Sequence, residues 1–123
     1  VFGMPEVALG MIPAAGGSQT LPRTVGVGQT LNLLLSCDYI DSKEALRIGL
    51  VNRVVRREDL MFVAEKMAED IKANSNLAVR YAKEAVKRGR ELQLGQGLEL
   101  ERSIAYIIRK LAGKESQRIL SGG

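Results

Sequence analysis

Only two short stretches of this chain read as β-strand, and a two-stranded piece is marginal in water unless further strands or a helix cover it. The first lies within residues 1–10, where apolar and small residues alternate around Met4-Pro5-Glu6. Pro5 supplies no ladder N–H, so this piece belongs at a sheet edge or in a loop, and Glu6 goes with it. The second is Leu50-Val51-Asn52-Arg53-Val54-Val55, which has the β-branched content of one short strand. Both are expected to add to a sheet built elsewhere. Val1 opens the chain inside the first stretch with no methionine, which a missing upstream segment would explain.

The rest of the chain carries helical signals. Met11 to Gln19 is the least ordinary stretch: Pro13 fixes a turn, and the small residues after it let other groups approach the backbone closely before a helix begins. A short helix through Thr20 to Val25 should end at Gly26, and another should carry Gln29 to Ser36 with Leu31, Leu34 and Leu35 inward. Asp41-Ser42-Lys43-Glu44 has the spacing of a capping box and opens a helix from Ser42 to Ile48, ended by Gly49. Leu60, Val63, Ala64, Met67, Ala68 and Ile71 fall at three- and four-residue intervals and define one face of a helix, with Glu58 and Asp59 suited to its N-terminus. After the capping residues Asn74-Ser75-Asn76 a second such helix carries Leu77, Tyr81, Ala82, Ala85 and Val86 and fades near Gly89. A third runs from about Leu98 to Leu111 with Ile104, Ile107, Ile108 and Leu111 inward, and Gly113 stops it. The sum is a mostly α chain with two short strands and no internal repeat.

At 123 residues and 46% hydrophobic content the chain can form one compact domain or half of a larger one. Disorder is expected only in the tail Ser121-Gly122-Gly123.

Several chemistries are excluded by what is missing. The sequence has no histidine, and Cys37 is its single cysteine. A Ser-His-Asp or Cys-His arrangement therefore lacks its base, a structural zinc site lacks ligands, and an intramolecular disulfide cannot form. No metal site is expected. Cys37 ends the apolar run Leu33-Leu34-Leu35-Ser36-Cys37, where a buried, unreactive thiol is expected.

The formal charge is +4 and the isoelectric point about 9.5. Arg53, Arg56, Arg57, Lys83, Lys87, Arg88, Arg90, Arg109 and Lys110 mostly have acidic neighbours, which describes solvated helix faces. The alternatives are attraction to a polyanionic cofactor or to RNA. At 4% aromatic content a base-stacking platform is poorly supported, so nucleic acid is not an expected partner. No window approaches a membrane span and the first residues are not those of a signal peptide, so a soluble intracellular protein is expected. Gly16-Gly17 reads equally as a tight helix start or as a ligand contact. No lysine follows at phosphate-loop spacing, and Gly26-Val27-Gly28 is a weak dinucleotide loop.

The run Phe2-Gly3-Met4-Pro5-Glu6-Val7-Ala8-Leu9-Gly10-Met11-Ile12-Pro13-Ala14-Ala15-Gly16-Gly17-Ser18-Gln19-Thr20-Leu21-Pro22-Arg23 resembles the signature segment of the enoyl-CoA hydratase/isomerase (crotonase) family. The likeness continues through Gly26, the apolar helix, the Asp41 to Gly49 helix with Ala45, Gly49-Leu50-Val51-Asn52 and the paired helices beyond. It implies an α/β, crotonase-like fold: a spiral of ββα units followed by a helical region that drives formation of a homotrimer, often a dimer of trimers. On this reading residues 1–56 are the end of the spiral core and residues 57–123 the helical oligomerisation region.

The resemblance also implies a chemistry. In hydratases of this family two glutamates hold a water that adds across the double bond of an α,β-unsaturated acyl-CoA, and the later glutamate lies in the Pro-Glu pair, here Glu6. A carboxyl group beside a dry acyl pocket is suited to act as acid or base. The backbone N–H at the position of Ala14 helps to hold the water. Many members have glycine there; alanine keeps the N–H but restricts φ. The first glutamate and the two oxyanion-hole donors would lie upstream of Glu6, so the 123 residues alone are expected to be incomplete and inactive. The family's C-terminal helix, with an aromatic residue and a lysine near the coenzyme A of a neighbouring subunit, is not recognisable in Lys114 to Gly123.

The resemblance thus implies a lyase acting on acyl-CoA thioesters, with no cofactor beyond the coenzyme A carried by the substrate. A cytoplasmic location is expected, or the mitochondrial matrix in a eukaryote. One glutamate at this position also suits double-bond isomerisation. The reading from another class is a non-catalytic helical oligomerisation module of the same origin.

Overall fold

A computed structural model describes residues 1–121 along the backbone and residues 1–112 in side-chain detail. The expectations for the Gly122-Gly123 tail and for the side chains of Lys114 to Gly123 lie outside the described residues. The chain divides into two compact units, Val1–Leu60 and Met61–Gly123.

The first unit begins with Phe2 and Ile40, which form an isolated antiparallel bridge through N–H···O contacts of 2.9 and 2.8 Å. No longer strand forms among the described residues, which corrects both strand expectations. In the first stretch, Pro5–Leu9 is a 3-10 helix. Pro5 stands at its start, where a fixed φ is already helical and the missing N–H costs nothing. In the second, the Leu50 and Val51 N–H groups donate to the Ala45 carbonyl at 2.9 and 3.3 Å. These donors fold the segment back on the preceding helix, and β-branched content cannot make a strand of residues whose N–H groups are spent locally.

Four helices complete this unit: α1 (Gly17–Thr20), α2 (Pro22–Val25), α3 (Val27–Ser36) and α4 (Ser42–Arg47). Gly26 separates α2 from α3, where the sequence put a helix end. The inward face of α3 differs from the expected one. Thr30, Leu33 and Leu34 are buried, whereas Leu31 and Leu35 are exposed, Leu35 at 66%. The buried set is an i, i+3, i+4 stripe, as helical packing requires, and it includes a threonine because the Thr30 hydroxyl donates to the Gly26 carbonyl at 2.8 Å. Apolarity alone favoured the neighbouring leucine stripe. Cys37 caps α3 in the left-handed conformation, φ 56°, and is half-buried, with its thiol donating to the Leu34 carbonyl at 3.5 Å.

Helix α4 begins as its sequence directs. Asp41 accepts from the Glu44 N–H at 2.8 Å, satisfying one of the first-turn donors, and Ala45 is completely buried. Arg47 Nε donates to Glu44 at 2.6 Å, and this hydrogen bond holds the Glu44 carboxyl below its ordinary range. A carboxyl lowered by folding contributes stability above its ordinary range, and that contribution is lost as pH falls through the lowered value. Both groups face water, so the effect is small.

The 3-10 turn Arg57–Asp59 closes the first unit, and from the boundary residue Leu60 onwards come α5 (Leu60–Lys72), α6 (Asn76–Gly89) and α7 (Leu94–Ser121). Ser75 caps α6 by accepting from the Ala78 N–H at 3.4 Å. Helices α6 and α7 pack on each other, with Ile104 buried, Ile108, Leu77, Tyr81 and Ala85 half-buried. On α5 the expected inward residues Val63 and Met67 are half-buried; the rest are exposed: Leu60, Ala64, Ala68 and Ile71 on α5, Ala82 and Val86 on α6, and Ile107 and Leu111 on α7. Helical spacing correctly finds an apolar face, but it cannot say whether the second unit alone covers it. Helix α7 also runs further than expected, over 28 residues and through Gly113. A glycine inside a helix costs only about 1 kcal/mol relative to alanine, which a long packed helix can absorb.

Asp41→Ala should lower the stability of the chain by about 1 kcal/mol, the usual worth of an N-cap acceptor. Denaturant unfolding followed by circular dichroism measures it, and an unchanged midpoint would mean that the cap is not formed.

Candidate active site

The 3-10 helix Pro5–Leu9 holds Glu6 by its backbone. Its carbonyl accepts from the Met11 N–H at 3.0 Å, and the Gly10 N–H donates to the Val7 carbonyl at 3.0 Å. This closes the turn, packs it against α3 and leaves the Glu6 side chain half-buried. One carboxyl oxygen, Oε2, is removed from solvent and has no hydrogen-bond partner among the described residues. Buried acceptors are normally paired, and an orphan oxygen in a native fold calls for a ligand, a water or a role.

Ala14 lies in the turn that leads into α1, immediately after the buried Pro13. Its side chain is exposed, and its N–H donates to no acceptor among the described residues. Cys37 is the one non-glycine described residue with a positive φ, so Ala14 occupies a conformation open to alanine and the restriction on φ is met without strain. No hydrogen bond joins Glu6 to Ala14 among the described residues. The structure therefore offers a free acceptor on one segment and a free donor on the other.

Gly16 and Gly17 have separate tasks, neither of which needs a ligand. Gly16 has φ 90° and caps α1, its carbonyl accepting from Gln19 N–H at 3.0 Å, Thr20 N–H at 2.8 Å and the Thr20 hydroxyl at 3.0 Å. A Cβ on Gly17 would overlap the Met4 Cε methyl and come 3.1 Å from the Pro13 Cβ. The sequence pointed to small residues here but not to what they admit. Beside this contact is an apolar cleft of about 400 Å³ lined by Phe2, Met4, Gly17, Leu21, Leu33 and Leu50 among others. Neither Glu6 nor Ala14 lines it.

The basic residues take the solvated role expected of them. Arg47 pairs with Glu44, Arg56 with Glu58 and Asp59, and Arg88 with Glu84, all on exposed faces. No described helix is long and apolar enough to cross a membrane.

The model of the enoyl-CoA hydratase/isomerase family matches residues 1–118. The chain belongs to that family. Among proteins similar to this member, a short-chain-enoyl-CoA hydratase of Clostridioides difficile is 43% identical over 103 residues, 84% of this chain and 66% of the relative. A crotonyl-CoA hydratase of Syntrophomonas wolfei is 44% identical over 100 residues, 81% of this chain and 38% of the relative. Among solved structures, an enoyl-CoA hydratase of Bacillus anthracis has a TM-score of 0.80 at 38% identity, covering 94% of this chain and 46% of that one. A candidate enoyl-CoA hydratase of Thermobifida fusca, solved in complex with CoA, has a TM-score of 0.75 at 28% identity, covering 89% of this chain and 43% of that one. The chain thus spans between 38% and 66% of the length of these two curated relatives. The crotonase-like fold implied by the signature segment is the fold of this family member, and its described residues are mostly helix with almost no strand.

The geometry separates the two small residues of the signature. Gly16→Ala should cost about 1–2 kcal/mol, because a side chain is forced into the left-handed region. Ala14→Gly should cost less than about 1 kcal/mol, since only unfolded-state entropy changes. Thermal denaturation of the two variants ranks them, and an Ala14→Gly loss equal to that of Gly16→Ala would contradict the backbone assignment.

Proposed function

We propose that this chain contributes an acid/base carboxyl of an enoyl-CoA hydratase, with Glu6 and the Ala14 N–H among the groups that hold the attacking water. The single observation that supports this most is the Glu6 Oε2, buried without a partner in the segment that carries the family signature. A water can satisfy it. The Oε2 accepts one water hydrogen while the Ala14 N–H donates to the water oxygen, which leaves a lone pair of that oxygen to be directed at the substrate.

The reaction follows from that placement. The water oxygen forms a bond to the β-carbon of an α,β-unsaturated acyl-CoA as the double-bond electrons move towards the α-carbon. One carboxylate of the pair receives a proton from the water, and the other carboxyl gives up its proton to the α-carbon; the proton gained by the first restores the second, so the pair ends as it began. The sum is one water added and a 3-hydroxyacyl-CoA formed. This reading takes the second carboxyl and the donors that stabilise the thioester oxygen from residues outside 1–123. Coenzyme A enters as part of the substrate, with no additional cofactor.

Oligomerisation is a further part of the reading. The exposed apolar residues of α5 to α7, with Val86 71% exposed and Phe62 69%, suit a surface covered by like chains in a homotrimer or a dimer of trimers. The location that goes with this function is the cytoplasm, or the mitochondrial matrix in a eukaryote.

Glu6→Gln, in the protein that carries these residues, should lower the rate of hydration of a short α,β-unsaturated acyl-CoA by about 10²–10⁴-fold, the usual worth of a positioned acid/base. Loss of the conjugated thioester absorbance follows the reaction. Turnover equal to that of the unsubstituted protein would remove Glu6 from the chemistry.

A further inference from the structure

We propose that Gly17 is a positioning residue, the spacer that sets the Glu6 carboxyl and the Ala14 N–H at their working separation. The inference rests on the reading of those two groups given above and adds the contact that holds them in register. Met4 caps the start of the 3-10 helix, two residues before Glu6, and the buried Pro13 directly precedes Ala14. Both side chains lie close to the place where a Gly17 side chain would stand: the Met4 Cε methyl would overlap it, and the Pro13 Cβ is 3.1 Å from it. Gly17 itself is fixed as the first residue of α1, with its carbonyl accepting from the Leu21 N–H at 3.1 Å. Each of the two site segments thus has a side chain close to the Cβ position of one anchored residue.

The consequence is geometric. A methyl group at Gly17 would overlap the Met4 Cε and crowd the Pro13 Cβ, so one or both must shift. The Met4 end is flexible and can swing, but Pro13 is a buried ring whose displacement carries the adjoining Ala14 N–H with it. Displacements well below 1 Å between groups that share one water are enough to lower turnover, because both contacts must be made at once. Shortening Met4 opens space on one side of the added methyl and lets Pro13 return.

The test uses Gly17→Ala, Met4→Ala and the double variant, read by steady-state hydration of a short enoyl-CoA and by the backbone amide resonances of Glu6 and Ala14. Gly17→Ala should lower kcat by about tenfold or more with KM changed by less than about twofold, and should move both amide resonances. The double variant should recover kcat to within about threefold of Met4→Ala alone, with the Ala14 resonance returning. If Gly17→Ala does not fold and the double variant does, the clash through Met4 is established and the proposal stands. Unchanged kcat and resonances in Gly17→Ala, a loss that Met4→Ala does not relieve, or failure of both variants to fold would overturn it. A Glu6→Gln variant that still hydrates at the full rate would instead defeat the chemical reading, while the resonances would go on reporting whether Gly17 couples the two segments.

Discussion

A glycine without room for a methyl group stands where two segments of the first unit meet. Gly17 starts α1, and the Met4 side chain and the Pro13 ring close over it from two different segments. Those segments are the 3-10 helix that carries Glu6 and the turn that carries Ala14. Core packing tolerates volume changes of even one methylene poorly, so a contact this close fixes where the two segments lie relative to each other. The neighbouring Gly16 serves a different end, turning the chain into α1 through a backbone conformation that a side chain would resist.

Against that fixed background the Glu6 carboxyl is the unusual feature. Leaving a buried acceptor unpaired costs on the order of 1–3 kcal/mol, and more for a charged group. Nothing in the fold of the described residues recovers that cost, whereas a water or a substrate hydroxyl would. The Ala14 N–H donates to no acceptor among the described residues. On the function proposed above, the free acceptor and the free donor would hold one water between them.

Features that depend on a few adjacent residues were legible in the sequence. The Asp41 cap, the break at Gly26, the Ser75 cap and the starts of α4 and α6 follow from side-chain chemistry acting across one turn. Features that depend on a distant partner were not. Leu50 to Val55 has strand composition, yet its first two N–H groups go to the Ala45 carbonyl, and no pattern of apolar residues records where a donor will be spent. Helix α3 offered two apolar stripes, and the one that is buried contains Thr30 because a backbone carbonyl satisfies its hydroxyl. Glu6 as a chemical group came from the signature segment alone; that its Oε2 is buried with no partner among the described residues follows only from how the turn packs.

The most direct test of the account asks whether Glu6 accepts a hydrogen bond from the bound ligand. Titration calorimetry would compare a 3-hydroxyacyl-CoA with the saturated acyl-CoA of the same length, in the unsubstituted protein and in Glu6→Ala. A hydrogen bond to a carboxylate contributes about 1.5–3 kcal/mol, so the hydroxylated thioester should bind about tenfold or more tighter, and Glu6→Ala should erase the difference. Equal affinity for the two thioesters in the unsubstituted protein would contradict the claim that the buried Glu6 oxygen awaits a donor from water or substrate.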